Sequence, residues 1–323
     1  MKRSPETKSP ATAARQVRPP GLFRTPAFAW AAAGAVFLAA QMWVIGHWLA
    51  SGGLDRKVTG TYEISQTRRT VLTVCELAVI AAVAVCAAWI IRDVRRKGHV
   101  TIHAALFLGY GTAHWMDPIL NYGGWGFANS RAVHHVAGWG PFLPGWRGPE
   151  ASPQPLIYAT GLFFPLLIGL IWITLAIAVK ISVLRPRWGR ARITAAVVVP
   201  TMMVEVLGES LIIRSGAYAY VGAPPELSLF GGHWYQIPLT EIILWPVVFV
   251  IPTVLLILSP RMTGQEVAIF AGTPPSGGVR HGAVRLLAGI GFAHVTLLIW
   301  LVGVSLSLRH QGIPAGTPSF LRL

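Results

Sequence analysis

"PAFAWAAAGAVFLAAQMWVIGHWLA", residues 26–50, runs from proline to alanine without one Asp, Glu, Lys or Arg. An apolar segment of about 20 residues is what an α-helix needs to cross the roughly 30 Å hydrocarbon layer of a bilayer. The run is too long for the central region of a cleaved signal peptide, which spans about 7–15 residues. It therefore predicts a first transmembrane helix. Residues 1–25, rich in Lys, Arg, Pro, Ser and Thr, read as a disordered basic tail in front of it.

Working outward, six further apolar runs follow at about 70–91, 100–116, 156–180, 192–213, 238–258 and 283–308. The expected fold is all-α: a polytopic membrane bundle of about seven helices over residues 26–308, with a C-terminal tail at 309–323. Composition agrees, since 53% of the 323 residues are hydrophobic and only 12% are charged, against about a quarter charged in soluble domains. No internal repeat stands out. Cys75 and Cys86 fall in one helical run, roughly 16 Å apart and too distant for a disulfide.

The net charge of +15 does not mark a nucleic-acid binder. Its basic residues are gathered in the tail, in "RDVRRKGH" at 92–99, in "LRPRWGRAR" at 184–192 and in 259–285. In a seven-span layout these all fall on one side, so the amino terminus is expected in the cytoplasm and the basic clusters at anionic lipid. Arg56, Lys57, Arg68 and Arg69 in the first outer loop run against that pattern. Two outer loops, 117–155 and 214–237, hold many aromatic residues, and are expected to pack on the bundle or to cap a pocket.

Ionisable groups at bilayer depth cost at least about 2.5–3.5 kcal/mol each, so they tend to pair or to line cavities. His103, Phe107, Tyr110, His114 and Asp117 recur at steps of four, three, four and three, which places them on one helical face. Asp117 opens the block "MDPILNYGGWGFANSR" (116–131), which leads on to His134 and His135; an Asp before proline is also a common helix-to-turn device. In "VEVLGESLIIRSG" (204–216), Glu205 and Glu209 lie four apart and share a face, where one of two neighbouring carboxyls should hold a proton. Arg214 is the candidate to neutralise one of them. Glu241 in "PLTEIILW" (238–245) is either a third acid or a helix-start residue favoured by the dipole. His294 reads as a core histidine.

Metal ligation is weighed on "HVTIH" (99–103) and on His134–His135, but His99 and the adjacent pair fall on opposite sides of the expected membrane. There is no Gly-rich phosphate loop, no Ser nucleophile elbow and no CxxC pair. Neither a metal nor a cofactor is expected. What remains are carboxylates, a few histidines, Tyr, Asn and Arg with aromatic walls, a set able to move protons and shelter a cation from water. Such a set suits cyclisation, hydration or dehydration of a lipophilic molecule, and also a transporter.

The seven-span layout, "HWMDPILNYGGW" (114–125), and "EVLGESLIIRSGAYAY" (205–220) leading to "WYQIPLTEIILWP" (234–246) resemble the membrane spirocyclase family of avermectin and milbemycin-type macrolide biosynthesis. The resemblance covers roughly 26–308. The pattern of Gly216, Tyr218 and Tyr220 after Glu205 and Gly208 also resembles membrane carotenoid hydratases and cyclases. The first resemblance implies a multi-pass protein of a bacterial cell membrane that closes a dihydroxy-ketone polyketide into a spiroketal with loss of water, some members also acting as dehydratases. It implies catalytic roles for Asp117, Glu205, Glu209 and Glu241. Asn121, Tyr218 and Tyr220 would orient hydroxyls, and Trp115 and Trp125 would face the developing cation. Tyr110, His114, His134, His135 and Arg214 complete the expected substrate contacts. The competing readings are a carotenoid-like hydratase or cyclase and a proton-coupled transporter; nothing in the sequence fixes an oligomeric state.

Overall fold

The computed structural model describes residues 25–158, 167–273, 278–309 and 312–323. The first 24 residues of the expected tail and part of the expected fourth span lie outside the described residues. Helix α1 (Pro26–Ala50) starts where the Thr25 hydroxyl accepts the Phe28 N–H, with Pro26 in the first turn. Helix α2 (Gln66–Lys97) is longer than its apolar run. Ser65 caps its start, Arg95, Arg96 and Lys97 complement the negative end of its dipole, and Gly98 closes it in the left-handed conformation at φ 69°.

Helix α3 (Ile102–Ala113) has 12 residues, eight of them buried, so it is an interior helix. Beyond Ala113 the chain tightens into a 3-10 segment, His114–Asn121, around Pro118, which has no N–H to give to an α-helical ladder. The remaining helices are α4 (Leu167–Leu184), α5 (Arg190–Ser215), α6 (Leu239–Trp245), α7 (Ile251–Thr263) and α8 (Gly278–Ser307). A π turn, Pro246–Val250, joins α6 to α7. Seven spans were expected. Among the described residues, five stretches can cross a membrane by length and composition: α1, α2, α5, Leu239–Leu258 and α8; the apolar stretch Gly169–Leu184 is shorter.

The centre of the bundle is α8. Gly34 of α1 and Gly291 of α8 lie so close to the opposite backbone that a Cβ on either would overlap a carbonyl oxygen, of Leu287 and Trp30 respectively. Gly109 of α3 and Gly289 make a similar approach on another side of α8. Between apolar helices in lipid there is no hydrophobic drive, so such close backbone packing supplies much of the attraction. Val36, Met42 and Trp43 of α1, Val85 of α2 and Leu211 of α5 point outward and exposed, as apolar side chains do on a lipid-facing surface.

Short antiparallel ladders organise the loops at one end of the bundle. Strand β1 (Ala128–Asn129) pairs with β4 (Tyr218–Ala219), β2 (His135–Ala137) with β3 (Pro153–Pro155), and β5 (Ser228–Leu229) with β6 (Ile237–Pro238). Buried Gln236 accepts the Gly232 N–H and donates to the carbonyls of Tyr220 and Ala223, so it satisfies three backbone groups of its loop. The final residues join this layer. The Arg131 guanidinium donates to the Ser319 carbonyl at 2.7 Å, its N–H donates to the Phe320 carbonyl at 2.9 Å, and Phe320 is buried.

Candidate functional site

A cavity of about 610 Å³ lies beneath this loop layer, within the range of pockets that hold small organic ligands. Its walls are mostly apolar. Helix α2 contributes Cys75, Ala78, Val79 and Ala82, helix α4 contributes Gly169, Leu170 and Ile173, and Leu120, Phe127 and Tyr158 come from the segments at the loop end. Trp245, Phe249 and Trp300 form the aromatic side, around the π turn and α8.

Into this space α5 directs Glu205 and Glu209, one turn apart, and α6 directs Glu241. Glu205 and Glu241 are buried and their carboxyl groups touch. A hydrogen bond between two carboxyls requires a proton on one of them, because an ionised carboxylate only accepts. Glu209 differs: one of its oxygens accepts the Tyr218 hydroxyl at 2.5 Å, and Tyr220 directs its hydroxyl to the same group. Three buried oxygens, Oε2 of Glu205, Oε1 of Glu209 and Oε2 of Glu241, accept no N–H or O–H among the described residues. Among the described residues no ion pair joins a cation to any of them. Buried acceptors left open are costly, which makes them the place to look for a ligand.

Asp117 lines the same cavity from the 3-10 segment. Its Oδ2 accepts Gln154 Nε2 at 2.9 Å, and Asn129 also bonds to it. Burial pushes its carboxyl up to about 6, against the pull of these two hydrogen bonds. Burial first, and then the Glu209 charge, push the phenols of Tyr218 and Tyr220 well above their ordinary value, so both remain hydrogen-bond donors.

The family model described as Spirocyclase AveC-like matches residues 94–312. The chain belongs to this family. No curated protein and no solved structure matches the chain. Membership gives the chain an enzyme's part in polyketide spirocyclisation. The matched residues include all four cavity acids, while α1 and most of α2 lie before them.

Of the residues singled out in the sequence, the cavity brings together Asp117, Glu205, Glu209, Glu241, Tyr218 and Tyr220. The other expected catalytic and substrate-contact residues do not line it. Tyr110 bonds to Thr296 and Trp115 to His294, whose Nδ1 approaches the Ile290 carbonyl as a core histidine's would. His114 sits one contact away, accepting from Gln154 at 3.3 Å. Asn121 bonds to the backbone of Gly126 and Phe127, so it shapes the loop. Trp125 packs with the cluster around Phe320. His134 binds Glu76 of α2, and His135 approaches its own loop carbonyl at Val133. The Arg214 guanidinium lies 3.9 Å from the Tyr235 ring centroid, over aromatic faces and away from the glutamates it was a candidate to neutralise.

Sequence reasoning missed Tyr158, Phe127, Trp245 and Trp300. Phe127 and Trp245 stood in stretches already singled out, 116–131 and 238–245, but were not themselves chosen. Trp300 and Tyr158 are unremarkable aromatics in apolar runs until the fold brings them to the cavity.

Proposed function

We propose that the protein is a membrane-embedded spiroketal cyclase that closes a dihydroxy-ketone polyketide by acid–base catalysis with loss of one water. The observation that carries the proposal is the trio of carboxyls with open buried oxygens in an apolar cavity. No described cation pairs with them, so they offer both a proton and a place for a passing cation.

In this reading the Glu205–Glu241 pair holds one proton and gives it to the ketone oxygen as one substrate hydroxyl attacks the carbonyl carbon. The attacking hydroxyl returns its proton to the pair, and the hemiketal results. A second protonation, on the hemiketal hydroxyl, releases water and leaves an oxocarbenium ion. Glu209 faces that cation, with the Trp245 and Trp300 rings as apolar walls able to meet positive charge. The second hydroxyl then closes the other ring and its proton passes to a carboxylate. The Tyr218 phenol donating to Glu209, with Tyr220 beside it, suits an acceptor, and a carboxyl–carboxyl contact suits a donor. Asp117, protonated below about 6, supplies or holds a further proton at the loop side of the cavity.

Spiroketals also form unaided in acid, so the principal contribution of the site is orientation and the choice of one stereoisomer. The loops are proposed to face the outside of a bacterial cell membrane, with the basic helix ends in the cytoplasm.

The test uses membranes carrying the protein, incubated with a dihydroxy-ketone macrolide precursor beside membranes carrying the E205Q/E209Q/E241Q triple variant. Mass spectrometry should record loss of one water, and carbon NMR a ketal carbon of single configuration, in the first sample alone. Equal rates and mixed isomers in both would overturn the proposal. A gain of water would identify a hydratase, and further loss without a ketal carbon a dehydratase.

A further inference from the structure

We propose that substrate reaches this cavity sideways from the bilayer, through an opening bounded by α2, α4 and α5, with Gly208 as its threshold. The inference rests on the reading of the cavity as the site of a lipophilic substrate. It names the route by which that substrate arrives.

Three cavity-lining residues are exposed: Ala78 of α2, Ile173 of α4 at 44% and Val204 of α5 at 38%. A side chain that lines a cavity and is also exposed on the helical surface marks where the two spaces join. Around that point the surface is apolar, with Leu77 of α2 and Leu207 and Leu211 of α5 all exposed. A water-facing mouth would be expected to carry polar groups at its rim, whereas this rim matches hydrocarbon.

Glycine lies on two sides of the opening. Gly169 of α4 and Gly208 of α5 both line the cavity, and a Cβ built on either meets nothing within 4 Å. The glycines of the α1–α8 contact are different, because there backbone fills the space. A mid-helix glycine costs roughly 1 kcal/mol relative to alanine. At Gly208 no neighbouring atom needs that cost, and what it preserves is clearance. Gly208 stands between Glu205 and Glu209 in sequence, so a molecule passing over it comes directly to the acids.

The occupant is the lipophilic dihydroxy-ketone itself, dissolved in the membrane and entering with its apolar portion first or last. Its hydroxyls and ketone find no hydrogen-bond partners on the rim, and meet their first ones at Glu205, Glu209 and Tyr218.

The experiment needs no turnover. The full-length protein in phosphatidylcholine vesicles would be irradiated with a long-chain alcohol bearing an alkyl diazirine, whose carbene adds readily to carboxyl groups, and the adducts mapped by peptide mass spectrometry. Adducts on Glu205 or Glu209 are expected, with at least tenfold fewer in G208W, while labelling of the outer face of α1 stays the same. A82W narrows the opening from α2 and should act alike, so the result does not depend on how one tryptophan is tolerated. Absence of adducts on the acids in the unaltered protein, or equal adducts in all three proteins, overturns the route. Turnover of the macrolide precursor is measured separately. Adducts that obey the expectation in a protein that closes no ketal leave the route standing and remove the proposed function.

Discussion

Asn129 and Tyr218 are cross-strand partners in the two-residue ladder of β1 and β4, and each supports a different acid: Asn129 bonds to Asp117, and Tyr218 donates to Glu209. One short ladder therefore sets the distance between the loop-side carboxyl and the glutamates of α5. The same economy appears in β2–β3, where Gln154, opposite Val136, reaches Asp117. These loops act as a frame for the acids.

Tyr218→Phe removes one hydroxyl and keeps the ring. We expect ketal formation to fall by roughly 10²-fold, in line with the loss of a proton-handling contact, while the melting temperature in detergent changes little. A smaller loss than about threefold would separate Tyr218 from the chemistry.

Asp117 should impose a pH dependence. Its folded-state value of about 6 lies above the ordinary 3.8, so the folded protein holds this proton more tightly than the unfolded chain. The stability it contributes is complete below about pH 4 and is lost as the pH rises through about 6. The thermal stability of the unaltered protein should fall as the pH rises between those limits, and Asp117→Asn should flatten that part of the profile. A rate that depends on the same proton falls in the same window.

Glu76 is buried in α2 and accepts two hydrogen bonds from His134, from the backbone N–H at 2.9 Å and from the ring Nδ1 at 2.8 Å. The His134 side chain is 73% exposed, so solvent screens the ring contact and His134→Ala should be almost silent. Glu76→Ala removes the acceptor of a backbone N–H as well, and should cost about 1–3 kcal/mol. Limited proteolysis of the 117–155 loop together with thermal melts would show the difference. Equal effects of the two substitutions would contradict it.

Gly291→Ala puts a methyl group against the Trp30 carbonyl oxygen. The expected cost is about 1–3 kcal/mol, as for other overpacked contacts. Gly208→Ala, where a Cβ meets nothing within 4 Å, should leave the melting temperature unchanged or raise it. The pair of melts separates glycines kept for packing from glycines kept for clearance.

The helical, membrane-crossing class was legible because it rests on runs such as 26–50, whose physics is local. So was the shared face of Glu205 and Glu209, since a spacing of four fixes it. The third span was less legible: residues 100–116 read as one apolar run, yet Pro118 and the tight turn before it make α3 a short interior helix. Trp115, Trp125 and His135 were chosen for their chemistry and their neighbours in sequence, but the 3-10 segment and the strand pairs direct them elsewhere. Trp300 could not be foreseen, because its place depends on the crossing of α8 with the helices around it.

The π turn at Pro246–Val250 adds one residue to the helical count between Glu241 and the buried end of α7. Each residue of an α-helix turns the chain by about 100°, so this turn works as a phase shifter. It lets the packing of α7 and the aim of Glu241 be set independently. Loss of a single residue there would rotate the acid away from the cavity while every side chain that touches it stayed the same. A comparison of sequences that scored only the acids would miss such a lesion, and an insertion or deletion in this five-residue stretch deserves as much notice as a change at Glu241 itself.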